Sequence, residues 1–98
     1  MSAAHIEPLI DRLGTVAGLI EGRKPDAEIQ AALRNALTDC QRAAADSRGE
    51  PQTLLRNFTQ ALQTWDRVWP QMGARAEFRL AVVREARQWA SRLTKTAA

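Results

Sequence analysis

The stretch from Leu54 to Leu93 constrains the fold more than any other part of the chain. It carries every tryptophan and phenylalanine of the sequence, and its apolar residues recur every three or four positions. That spacing places them on one face of an α-helix. Pro70 and Gly73 interrupt the pattern once, which predicts a helical hairpin with an aromatic seam. The predicted seam consists of Leu54, Phe58, Ala61, Leu62, Trp65, Trp69, Phe78, Val82, Ala86, Trp89 and Leu93.

The first half of the chain shows the same helical spacing with smaller side chains. Pro8 is compatible with a helix only in the first turn, so the first helix is predicted to begin near Ile6. Residues 22–25, Gly-Arg-Lys-Pro, combine a stop signal with a start signal, and we expect Gly22 to adopt the left-handed cap conformation. Residues 46–51 contain the clearest turn, with a glycine and a proline two positions apart.

Three glycines form a line on the first helix, at Gly14, Gly18 and Gly22. Such a line either lets a neighbouring helix approach closely or weakens the helix, since each interior glycine costs about 1 kcal/mol relative to alanine. The sequence favours the second effect slightly.

These patterns predict an all-α protein, folded as an antiparallel up-down four-helix bundle. The expected helices span about 6–22, 25–45, 51–69 and 74–94, with residues 71–73 as the last turn. Their short connections make consecutive helices antiparallel neighbours. We expect a single domain over residues 1–98, because neither half has enough apolar surface to fold alone.

Residues that could carry out catalysis are few. His5 is the only histidine, and Cys40 is the only cysteine and falls on an apolar stripe, where a core position is expected. No phosphate-binding glycine loop is present. We therefore predict a protein that is not an enzyme, with no catalytic residue, metal, cofactor or small-molecule substrate.

Charge is concentrated near the end of the chain. The formal net charge is +3, and residues 74–98 alone hold six basic and two acidic side chains. The bases are mostly arginine, whose planar group suits carboxylate or phosphate. The alternative, which we favour, is that the arginines result from the codon usage of a GC-rich bacterial genome. No apolar run is long enough to span a membrane, and the N-terminus lacks the features of a signal peptide. A cytoplasmic location is the expectation.

Two features suggest a contact surface. Trp69 and Met72 flank Pro70 at one end of the bundle, where they either complete the core or meet a partner. The predicted outer face of the fourth helix mixes apolar and basic residues, and a purely solvated face is the alternative. This face comprises Leu80, Arg84, Arg87, Ser91 and Lys95, with Val83 at one edge and Arg79 and Arg92 flanking the core stripe.

The leading hypothesis is a small accessory or adaptor protein that binds another protein or its own copy as a homodimer. The expected contact residues are Trp69, Met72, Leu80, Val83, Arg84 and Arg87. The alternative is a nucleic-acid-binding subunit whose bases contact phosphates. That role would use Arg79, Arg84, Arg87, Arg92 and Lys95.

Overall fold

The computed structural model describes residues 6–97 as a bundle of four α-helices, with dimensions of 38 × 21 × 19 Å and no strand in that range. The four-helix fold predicted from the sequence is confirmed. The helices are α1 (Ile6–Glu21), α2 (Asp26–Ala45), α3 (Glu50–Met72) and α4 (Ala76–Ala97). None of these helices contains a stretch that is long and apolar enough to cross a bilayer.

The spacing between helices follows the size of their side chains. α2 lies closest to α3, and α1 lies close to both α4 and α2, whereas α3 and α4 are further apart. Small residues such as Ala36 and Ala43 allow α2 to approach its neighbours. Aromatic rings fill the wider gap: Phe58 stacks on Trp89 with centroids 4.5 Å apart and meets Trp65 edge-on at 6.0 Å.

The core contains most of the predicted seam, while Ala61, Phe78 and Trp89 are partly buried against it. Phe58, Leu62 and Trp65 are buried as expected. Leu55, which the predicted seam omits, is 1% exposed, while Leu54 beside it is only half-buried. A helix turns 100° per residue, so a core direction set by all of α3 favours Leu55 over its neighbour.

Gly14 and Gly18 lie on an exposed face of α1. A Cβ atom built at either position would have no atom within 4 Å. No neighbouring helix approaches this face within the described residues, so the interpretation as a close-packing line is wrong. These glycines therefore destabilise α1 relative to alanine and gain no close helix contact in return.

The α1–α2 turn uses a residue other than the predicted one for its left-handed conformation. Arg23 has a positive φ of 53°, whereas the φ of Gly22 is not positive. The backbone N–H of Arg23 donates to the carbonyl of Ile20, and that of Lys24 donates to Leu19. These two bonds form a Schellman motif, which requires the left-handed residue one position later than we expected.

The α2–α3 turn satisfies its polar groups locally. The Ser47 hydroxyl donates to the Ala43 carbonyl at 2.7 Å, and the Gln52 amide donates to the Ala44 carbonyl at 2.9 Å. Gly49 supplies a φ of 70° immediately before α3. Only glycine adopts that conformation at little cost.

α3 continues through Pro70 to Met72, where the sequence predicted an end at Trp69. A proline this close to the end of the helix removes a single backbone hydrogen bond. The N–H of Gly73 donates to the Trp69 carbonyl at 2.7 Å and closes the helix beyond the proline. The turn therefore spans residues 73–75 instead of 71–73, and α4 runs from 76 to 97 instead of 74 to 94.

Candidate protein-interaction surface

The α1–α2 and α3–α4 turns lie together at one end of the bundle, here called the two-turn end. Arg79 joins them. Its Nη1 donates to the Gly73 carbonyl at 2.6 Å and lies 3.8 Å from Oδ1 of Asp26. Its guanidinium carbon is 5.4 Å from the centroid of the Trp69 ring. One side chain thus holds the start of α4 against the end of α3 and the start of α2.

Trp69 fills the interior of the two-turn end. Its side chain is 1% exposed and its ring centroid lies 5.6 Å from that of Phe78. The ring also lies so close to Gly73 that a Cβ there would be 2.6 Å from the indole Nε1. This Nε1 has no hydrogen-bond partner among the described residues.

The expectation that Trp69 contacts a partner directly is therefore not met, because Phe78 and Arg79 cover its ring from α4. Met72, three residues further along α3, is half-buried. The predicted contact pair thus separates into a core tryptophan and a methionine with some surface exposed.

Leu80 is the large hydrophobic residue that the described part of the chain leaves exposed, at 59%. Its exposure follows from α4 itself. Val82, Ala86 and Leu93 point into the core, and Leu80 lies roughly opposite them on the helix. The predicted outward direction of this side chain agrees with the structure.

Val83 was predicted at the edge of the same outer face, and that placement is wrong. Its side chain is 6% exposed and belongs to the hydrophobic core. α4 packs closely on α1, and Val83 shares the lining of one cleft with Ile20 and Glu21 of α1. Of the two apolar residues that we expected on the surface, Leu80 is exposed and Val83 is buried.

A shallow cleft adjoins Leu80 where the end of α1 meets the start of α4. We call it the Leu80 cleft. It is lined by Ile20, Glu21, Arg23, Ala74, Ala76, Arg79, Leu80 and Val83. The two alanines have short side chains, so they leave the cleft open beside the exposed leucine. Apolar residues thus share the lining of the cleft with the charged side chains of Glu21, Arg23 and Arg79.

The basic residues of α4 do not form one uniform stripe. Arg87 is ion-paired with Glu21 of α1. The guanidinium of Arg92 lies over the ring of Trp89, 5.2 Å from its centroid. With Arg79 at the turn, three of the five predicted phosphate ligands make contacts within the fold.

Arg84 and Lys95 are exposed and form no ion pair within residues 6–97. The same is true of Glu77, which sequence reasoning did not single out. Glu77 is three residues before Leu80, and this spacing on a helix was the signal that could have identified it. The contribution of α1 to the cleft, through Ile20 and Glu21, had no comparable signal.

The thiol of Cys40 is buried in the core. Cys40 lies between α2 and α3, where its thiol donates to the Leu55 carbonyl at 3.3 Å and accepts from the Thr59 hydroxyl at 3.3 Å. Burial raises the pKa of the Cys40 thiol, and the Thr59 hydrogen bond opposes this only in part. The thiol is thus kept protonated and is a poor nucleophile.

No group of three or more His, Cys, Asp or Glu side chains is placed to hold a metal ion within residues 6–97. His5 lies outside the described residues.

Comparison of this chain with protein-family models, with characterised proteins and with solved structures finds no match.

Proposed function

We propose that this protein is a non-catalytic accessory protein that acts by binding another protein through the two-turn end and the outer face of α4. The observation that carries the proposal is Leu80, a leucine 59% exposed beside a cleft that apolar and charged side chains line together. Removing this exposed apolar surface from water would favour association. An exposed leucine next to a depression is apolar surface that a partner can cover.

The surroundings of Leu80 support this role. Arg84 lies one turn further along α4 and has no ion partner within the described residues. Arg87 is held against Glu21, and Met72 contributes partly exposed apolar surface at the same end of the bundle. An apolar centre with a charged border is the usual anatomy of a protein interface.

Nucleic-acid binding is the second candidate. It is favoured by the exposed side chains of Arg84 and Lys95, which form no ion pair within residues 6–97. Affinity for phosphates depends on the number of cations that displace counterions. Because Arg79, Arg87 and Arg92 make contacts within the fold, few cations on this face are unengaged, and protein binding is the stronger proposal.

The cytoplasm is the proposed location. Cys40 is the only cysteine, and it is a buried free thiol. A thiol that has no disulfide partner suits a reducing compartment.

The test uses the wild type and three variants, each as bait, to capture proteins from nuclease-treated extract of the source cell. Binding of a second copy of the chain counts as protein binding. Leu80→Glu places a charge at the centre of the surface, and Arg84→Gln removes a free cation. Gln60→Glu adds the same charge on the exposed side of α3 and serves as the control. We expect the wild type and the control to capture a protein that Leu80→Glu does not capture.

The opposite result is also defined. Binding of purified nucleic acid that is lost in Arg84→Gln, kept in Leu80→Glu and weakened steeply by salt would favour the second candidate. Equal protein capture by wild type and Leu80→Glu would remove Leu80 from the proposed surface.

A further inference from the structure

We propose that the partner is a second copy of this chain, packed through α4 in an antiparallel arrangement about a two-fold axis beside Leu80. The inference rests on the proposed function, because it assigns the occupant of the same surface. A two-fold interface uses one patch on both subunits, so the patch must be complementary to itself. The outer face of α4 has this property in both its charges and its apolar surface.

The charges lie on either side of Leu80 on one face of the helix. Glu77 is three residues before it and Arg84 is four residues after it. Both side chains are exposed and neither has an ion partner within residues 6–97. Residues three and four apart share a helix face, so all three side chains point away from the bundle together.

An antiparallel second copy brings opposite charges together. With a rise of about 1.5 Å per residue, Glu77 lies about 4.5 Å and Arg84 about 6 Å from Leu80 along the helix axis. When the two-fold axis passes beside Leu80, Glu77 of each copy faces Arg84 of the other. The mismatch along the axis is then about 1.5 Å, which flexible side chains span easily. Two symmetric ion pairs result.

A parallel pair of helices would place Glu77 beside Glu77 and Arg84 beside Arg84. Like charges at facing positions oppose association, so the sequence of this face selects the antiparallel arrangement. The same repulsion between Glu77 and phosphate disfavours a nucleic acid centred on Leu80.

The apolar surface matches the same axis. Leu80 of one copy would lie against Leu80 of the other, above the buried Val83. Ala74 and Ala76 present short side chains in the cleft beside it, so a second helix can approach closely. The two ion pairs would then flank a small apolar centre made by both copies.

A charge exchange tests the pairing. Glu77→Arg should prevent dimer formation, because the introduced arginine would face Arg84 of the second copy, and Arg84→Glu should prevent it because two acids would meet. The double variant Glu77→Arg/Arg84→Glu should dimerise again. A mixture of the two single variants should form a mixed dimer with one copy of each, since every facing pair is then opposite in sign.

The measurement is mass by analytical ultracentrifugation at high micromolar concentration, with native mass spectrometry to identify mixed dimers. The wild type is expected at about twice its chain mass of 10.9 kDa, and each single variant at the chain mass. Circular dichroism checks that every variant remains helical. Gln60→Glu is the control and should behave as the wild type.

Three outcomes overturn the inference: a monomeric wild type, a dimer that survives both single substitutions, and two single variants that stay monomeric when mixed. None of them by itself removes the proposed function. That proposal survives when a different protein binds in a Leu80-dependent manner, and it fails together with the inference when neither a copy nor another protein does.

Discussion

The two ends of the bundle are built from similar helices, yet they differ in how their turns are completed. At the end that holds the α2–α3 turn, Ser47 and Gln52 donate to backbone carbonyls of α2. A glycine, Gly49, takes the left-handed position. At the two-turn end an arginine takes the left-handed position, and the buried Trp69 Nε1 has no partner among the described residues.

The difference supports the proposal that the binding surface lies at the two-turn end. Departures from local rules, such as a strained backbone or an exposed leucine, tend to concentrate where a protein functions. Here they occur together at one end, close to the Leu80 cleft. The predictions that follow test whether this end is also packed as tightly as its contacts indicate.

The largest expected effect comes from Trp69→Ala. The ring is buried between α3 and α4, and large-to-small changes of buried aromatic residues cost about 3–5 kcal/mol. Leu54→Ala, at a half-buried position near the opposite end, should cost clearly less. Chemical denaturation measures both free energies of unfolding. Equal losses would mean that the two-turn end is not packed around Trp69.

The next effect tests the contact between Trp69 and Gly73. Gly73 has a φ of −63°, so an alanine there is not strained by its backbone conformation. Its Cβ would lie 2.6 Å from the indole Nε1 and 2.7 Å from the Trp69 carbonyl oxygen. Overpacking of this kind costs about 1–3 kcal/mol.

Gly18→Ala is the matched control for Gly73→Ala. Its Cβ meets nothing within 4 Å, so replacing glycine within α1 should stabilise the protein by about 0.5–1 kcal/mol. The two substitutions add the same methyl group, and thermal or chemical unfolding should report opposite signs. Stabilisation by both would contradict the close approach of the Trp69 ring.

The sequence predicted those features that depend on one helix at a time. Helical spacing and Gly-Pro punctuation were enough for the four helices. They also predicted the outward direction of Leu80, because it lies roughly opposite the core residues of α4. Proline position was harder to interpret, since Pro70 lies near enough to the end of α3 to cost only one hydrogen bond.

The predictions that were wrong concern features that depend on the distance between helices. Val83 was expected at the surface, but α4 lies so close to α1 that a residue on the flank of the helix is buried. Trp69 is covered by Phe78 and Arg79, which approach only when the turn at 73–75 brings α4 back. Glu77 gained its significance only when the structure showed that it has no ion partner within residues 6–97.

The smallest expected effect concerns the left-handed residue at each end. A left-handed conformation costs a non-glycine residue about 1–2 kcal/mol, and glycine avoids this cost. Glycine also gives the unfolded chain more conformational entropy, which lowers the stability of the fold by about 0.5–1 kcal/mol and offsets part of this gain. Arg23→Gly should therefore stabilise the fold by about 0.5–1 kcal/mol and give this end, like the other, a glycine at its positive-φ position.

Lys24→Gly is the control for Arg23→Gly. Lys24 follows Arg23 directly but does not have a positive φ. Glycine there gains nothing from a left-handed conformation and adds freedom to the unfolded chain, so stability should fall slightly. Both free energies come from chemical denaturation under the same conditions. If Arg23→Gly lowers stability as Lys24→Gly does, the arginine is compensated by contacts at the cleft that it lines, and the contrast between the two ends is weaker than the backbone indicates.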